Sequence, residues 1–130
     1  MAKTGVWTRY MTTKALVIDD SKVARMIMKK VLSAIKSDWE IVEAGDAEEA
    51  LAMVETTAID MFFIDVNMPG MSGIELAGIL RERFPETPMT MVTANVQESI
   101  QQQAAEIGIP VIGKPFNEEK LAETRKNWPN

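Results

Sequence analysis

Ile59-Asp60-Met61-Phe62-Phe63-Ile64-Asp65-Val66-Asn67-Met68-Pro69-Gly70 contains a nearly unbroken apolar run, residues 59–64, that stops at an aspartate. A strand with this pattern is covered on both faces, as in the middle of a parallel sheet. The turn-rich Asn67-Met68-Pro69-Gly70 then ends it. Working outward, Ser72 with Glu75 has capping-box spacing and opens a helix whose stripe is Leu76, Ile79 and Leu80.

The same strand-then-helix unit recurs on both sides. Upstream, Ala15-Leu16-Val17-Ile18 reads as a buried strand ended by Asp19-Asp20, and Val23, Ile27, Val31 and Ile35 step by four through a helix over about 21–35. Residues 40–44 alternate as a strand. Asp46 then caps a helix with Glu49 reaching back, and Ala47, Ala50, Leu51 and Val54 form its inner stripe. Downstream, Met89-Thr90-Met91-Val92 is a fourth strand, ending at Thr93-Ala94. Asn95 with Glu98 predicts another capped helix, facing inward through Val96, Ile100, Ala104 and Ile107, with uncharged Gln101, Gln102 and Gln103 outside. Residues 109–112 read as strand five. Asn117, with Glu118 and Glu119 in the first turn, starts a last helix that Pro129 must end. Five such units predict an α/β fold, a doubly wound parallel sheet with helices on both faces.

Length and composition narrow the chemistry. A chain of 130 residues makes one domain with one hydrophobic interior, and 46% hydrophobic with 25% charged residues is ordinary for a globular protein. There is no histidine and no cysteine, so thiol and imidazole catalysis are excluded, as are disulfides. A net charge of −5 offers no basic footprint to nucleic acid or an anionic membrane. No apolar stretch approaches the roughly 20 residues of a membrane span. The opening residues lack the apolar middle of a signal peptide, so the expectation is cytoplasmic. Residues 1–13 have no periodicity and read as an arm, disordered or extraneous, before a domain over 14–130.

In doubly wound sheets ligands bind at the carboxyl ends of the strands, and Asp19, Asp20, Asp65, Thr93 and Lys114 all fall there. Singly, each has an ordinary reading as a turn, cap or solvated side chain. Together they form an oxygen-only cluster that calls for a hard cation, Mg²⁺ on ligand type and abundance, although Ca²⁺ or Mn²⁺ suits the same oxygens. Asp65 can then attack phosphorus to form an acyl phosphate. Lys114, Thr93 and the metal would meet the three equatorial oxygens. The ten methionines read as core filler.

Asp19-Asp20-Ser21 followed by Arg25, then the segment 65–73, Thr93-Ala94 and Lys114-Pro115-Phe116 resemble the receiver domain of two-component response regulators over about 14–126. The resemblance implies a flavodoxin-like (βα)5 fold with strand order 2-1-3-4-5, which is a family example of the strand-order rule itself. It implies Asp65 as phosphoacceptor from a sensor histidine kinase or histidine phosphotransfer protein. It further implies Mg²⁺ held by Asp19, Asp20, Asp65 and Asn67, switch roles for Thr93 and Lys114, and rate-modulating roles for Asn67 and Asn95. Val111 stands where many members carry an aromatic switch residue. Output to a downstream protein is therefore expected through the face of helix 4, strand 5 and helix 5, including Ile100 and Val111, by helix shifts rather than ring rotation.

The leading expectation is a single-domain response regulator, of which the chemotaxis type is one class, since nothing follows Asn130. A phosphorelay intermediate or phosphate sink is the nearest alternative, and an unphosphorylated interaction module is another. A phosphatase of the haloacid dehalogenase type shares fold, nucleophile and metal. It wants an acidic residue two positions after the nucleophile, where this chain has Asn67, which cannot shuttle a proton.

Overall fold

The computed structural model describes residues 12–94, 96–114 and 117–129. Five parallel strands alternate with helices: β1 (Lys14–Ile18), α1 (Lys22–Ile35), β2 (Glu40–Ala44), α2 (Ala47–Thr56), β3 (Met61–Asp65), α3 (Gly73–Arg83), β4 (Met89–Thr93), α4 (Glu98–Glu106), β5 (Val111–Gly113) and α5 (Glu118–Ala122), followed by a short 3-10 turn at Arg125–Asn127. The sheet order is β2-β1-β3-β4-β5, with every pairing parallel. β3 is the central strand and is buried along its whole length.

Alternation along the strands divides the interior in two. Leu16, Ile18, Phe62, Ile64, Met89 and Met91 face α2, α3 and α4, where Ala50, Val54, Leu76, Leu80 and Ala104 meet them. Ala15, Val17, Met61, Phe63, Val92 and Ile112 face the other way, onto Met28 and Leu32 of α1, Leu121 of α5, and two tryptophans. Full burial of Phe62 and Phe63 alone stabilises the fold by roughly 1.5–3 kcal/mol apiece.

Caps start most helices where the sequence places them. Ser21 Oγ accepts from Ala24 N, Asn117 Oδ1 from Lys120 N, and Ser72 with Glu75 forms a reciprocal capping box. Asp46 accepts from Glu49 N, but the Glu49 carboxylate reaches one residue further back, to Gly45 N.

The structure corrects several sequence readings. Val23 and Ile27 are exposed, and α1 buries Met28 and Leu32 instead, with Val31 and Ile35 half-buried. A helix advances about 100° per residue, so each step of four drifts about 40° and the stripe rotates from solvent into the core. α4 begins at Glu98 behind Gln97, which makes no side-chain cap, and Val96 lies outside it, 44% exposed. Asn95 itself falls outside the described residues. β3 starts two residues later than Ile59, and β5 runs over Val111–Gly113 rather than 109–112.

The last helix stops at Ala122, well short of Pro129. Thr124 Oγ1 donates to Leu121 O and accepts from Trp128 Nε1, which turns Trp128 inward. There it packs 5.2 Å from Trp39 and edge-on to Phe63 at 5.8 Å.

One glycine sets how closely α3 approaches the strand ends. Gly73 N donates to Val66 O at 2.9 Å, and a Cβ there would collide with the Asp65 carbonyl. Gly73→Ala is expected to destabilise the protein by roughly 3 kcal/mol, the upper range for overpacking because backbone must yield. A urea midpoint equal to that of the parent would contradict this.

Candidate functional site

Register alone brings the first two acids together. Ile18 pairs with Ile64, so the next residues, Asp19 and Asp65, leave neighbouring strands side by side. Asp19 N donates to Ala44 O, tying the end of β1 to β2, and Asp19 Oδ1 accepts from Ser21 N at 2.9 Å. Asp19 and Asp65 are each only 4% exposed, whereas Asp20 is open to solvent. One oxygen from each of the three carboxylates lies within 4.8 Å of the others.

Lys114 follows β5 and is fixed by its own backbone, with its N–H on Thr93 O at 2.7 Å. Its ammonium bridges two of the acids, at 2.7 Å from Asp19 Oδ2 and 3.2 Å from Asp65 Oδ1. Asp19 is thus the nearer partner of Lys114, a direct contact the sequence does not reveal. Thr93 is fully buried at the end of β4, one residue beyond Val92, the register partner of Asp65. Asn67 is exposed two residues after Asp65. Ile100 and Val111 are half-buried against the core, so they underlie the α4–β5 face rather than stand on it. Asn95, Pro115 and Phe116 lie outside the described residues.

The electrostatics follow from this crowding. Burial, then the Asp19 charge, push the Asp65 carboxyl up to about 6, against the opposing pull of Lys114. For Lys114, burial works to lower its pKa. The hydrogen bond to Asp19 and the charges of Asp65 and Asp19 outweigh burial and hold it above the usual lysine value.

Three ionised carboxylates against one ammonium leave an excess of two negative charges, the charge of one divalent cation. All the donors are oxygens, two are sheltered and one is open to water. That set fits Mg²⁺, which favours a few carboxylates and retains waters. A groove of about 310 Å³ lined by Asp46, Leu51, Pro69 and Met71, among others, contains none of these charged groups, so chemistry rather than concavity locates the site.

With the fold and this cluster in view, comparison with known proteins is specific. The chain belongs to the response regulator receiver domain family, whose pattern matches residues 15–126. It is 35% identical over 113 residues to the chemotaxis protein CheY of Pseudomonas aeruginosa, covering 85% of this chain and 90% of that one. It is 33% identical over 110 residues to the cyclic di-GMP phosphodiesterase response regulator RpfG of Xanthomonas campestris, covering 82% of this chain but 29% of that protein. Other relatives are likewise matched over a quarter to a half of their length, such as FleR at 24% and LytT of Bacillus cereus at 46%.

Among solved structures, chemotaxis protein CheY4 of Vibrio cholerae superposes with a TM-score of 0.80 at 30% identity, covering 91% of this chain and 99% of that one. The response regulator TrrA of Thermotoga maritima, solved in complex with Mg²⁺-BeF, gives 0.78 at 29% identity, covering 88% and 97%. The expected fold and strand order hold for this chain. No helix among the described residues is long and apolar enough to cross a membrane.

The raised Asp65 pKa has a testable sign. An acid with a native pKa near 6 and an ordinary value of 3.8 binds more protons folded than unfolded between those values. Its contribution to stability is therefore present below about pH 4 and lost as pH rises through about 6. Without divalent cations, Asp65→Asn is expected to be more stable than the parent at pH 7.5 by about 2 kcal/mol. That advantage should shrink at pH 4.5. Thermal melts across pH check it, and a less stable variant at pH 7.5 would refute it.

Proposed function

We propose that this receiver accepts a phosphoryl group on Asp65 from a histidine of a sensor histidine kinase or histidine phosphotransfer protein. Phosphorylation then shifts α4 and β5 to alter binding to a partner protein. The observation that carries the reading is the convergence of Asp19, Asp20, Asp65 and Lys114 at adjoining strand ends. Asp19, Asp20, Asp65 and the backbone of Asn67 would hold Mg²⁺, which when bound supplies charge neutralisation at the phosphoryl oxygens.

The remaining work falls to the chain itself. Above pH 6 the Asp65 carboxylate is ionised, and its oxygen forms a bond to phosphorus while the phosphorus–nitrogen bond to the donor imidazole breaks. The bonding pair returns to the ring nitrogen. Lys114 is already within reach of Asp65 and can follow a phosphoryl oxygen, releasing part of its hold on Asp19. The buried Thr93 hydroxyl is a candidate donor to another oxygen, and Asn67 and Asn95 are candidates to modulate water attack on the acyl phosphate. No acid stands at position 67, which argues against turnover as a phosphatase.

A protein phosphodonor is supported by α1, where Val23, Met26 and Ile27 are 64%, 59% and 47% exposed on one face, directly after the Asp19–Ser21 loop. The likeness to a chemotaxis CheY makes chemotaxis one setting for such a regulator, and a relay is another. Mg²⁺ and a small phosphodonor are expected to add one phosphoryl mass to the intact protein, and Asp65→Asn to abolish it. An unchanged mass in the parent would sink the proposal.

Movement of α4 is supported by its two unlike ends. At its start Gln97 makes no side-chain cap, whereas Arg81 Nε donates to Ile107 O at 3.2 Å and Arg81 Nη1 to Thr87 O, pinning its end to α3. Val111 has no ring to swing, so helix displacement is the available output. Phosphorylation should shift backbone amide resonances across residues 98–112, more at the start of α4 than at its end. Unchanged resonances there would rule out this output.

A further inference from the structure

Arg25 bonds two segments around the acidic cluster and lies close to a third. From α1, one turn past Ser21, its Nη1 donates to the Asp19 backbone carbonyl at 2.6 Å and its Nε to Glu43 Oε1 on β2 at 2.9 Å. A Cβ on Gly45 would fall 3.5 Å from Nη1, so the loop after β2 closes on the same guanidinium. Both partners are sheltered, with side chains 17% and 33% exposed. This is a fixed fork, held at one tine by β2 and at the other by the peptide between Asp19 and Asp20.

We propose that Arg25, locked by Glu43, is a positioning residue for the cation site: it fixes the Asp19 carbonyl and so aims the Asp20 carboxylate at Asp65. The inference rests on the cation reading above. Asp20 is exposed, with one carboxylate oxygen within 4.8 Å of those of Asp19 and Asp65, so where its backbone starts the side chain decides whether it reaches the cluster. That backbone is held by Asp19 N on Ala44 O, by Ser21 N on Asp19 Oδ1, and by Arg25 on Asp19 O. An unpaired arginine here would repel a cation. Glu43 cancels that charge, so the pair supplies geometry without opposing the metal.

Charge and geometry predict opposite results. If Arg25 acted through its charge, removing it would tighten Mg²⁺ binding. If it positions Asp20, removal weakens binding by about tenfold, as for other residues that orient metal ligands.

The test uses the full chain carrying Arg25→Met with Glu43→Met, which leaves net charge unchanged, and separately Arg25→Lys, which retains the charge but lacks the fork. Mg²⁺ affinity is measured by calorimetric titration, and amide resonances of Asp20 and Ser21 are recorded without metal. The expected result is about tenfold weaker Mg²⁺ binding in the double variant, a smaller loss in Arg25→Lys, and displaced Asp20 and Ser21 resonances in both. Equal or tighter Mg²⁺ binding, or undisturbed metal-free resonances, overturns the proposal. A parent chain that takes up no Mg²⁺ refutes the cation reading instead, and the metal-free resonances then decide the role of Arg25 alone.

Discussion

The site is built on one electrostatic conflict, three carboxylates gathered at the end of a buried sheet with a single ammonium among them. Two like charges 4 Å apart repel by about 4 kcal/mol in a partly buried setting, and Lys114 cannot neutralise all three acids. The cost appears directly in Asp65, whose carboxyl is held up near 6 by burial and by Asp19. A site left short of positive charge in this way favours whatever supplies it, a cation first.

The fold can sustain that conflict because the strands carrying it are the best buried. β3 and β4 are buried at every position, and apolar layers cover both faces of the sheet. Parallel pairing places the ends of β1, β3 and β4 at one rim, which an antiparallel arrangement would alternate between two. Gly73 lets α3 settle directly on the Asp65–Val66 backbone, so the strand end that bears Asp65 is braced from behind. Little freedom is left at Asp65 or Asp19. What freedom the site has lies in the exposed side chain of Asp20.

The strand ends were legible in the sequence because apolar runs that stop at a charge are local signals. Asp19, Asp20, Asp65 and Lys114 could be placed at one rim from that pattern and a parallel topology. The buried face of α1 was misread because Val23 and Ile27 are apolar yet face solvent, and periodicity cannot distinguish apolar residues kept for the surface from those used in the core. The early end of α5 was hidden because it depends on Trp128 finding Trp39 and Phe63, contacts distant along the chain. The same applies to Arg25 and Glu43, which are 18 residues apart and joined only when α1 packs across β2. The preference of Lys114 for Asp19 over Asp65 is a matter of tenths of an ångström, which no residue pattern encodes.

The position of Lys114 also explains how an event at Asp65 could be felt at α4 without an aromatic switch. Its side chain spans two acids, and its backbone N–H is bonded to Thr93 O, so the ends of β4 and β5 are coupled through one residue. A new anion on Asp65 competes with Asp19 for the ammonium. Any displacement would then be passed to β5, where Val111 packs with Ile100 and Ile107 against the shared core. A Cβ on Gly113 would fall 3.0 Å from the Val96 side chain, so the end of β5 also abuts the segment entering α4. Gln97, where that segment enters the helix, makes no side-chain cap, while the far end is pinned by Arg81. Two discrete settings of α4, rather than a continuous wire of contacts, are what such coupling requires. Unequal anchoring of its two ends supplies the asymmetry from which they can arise.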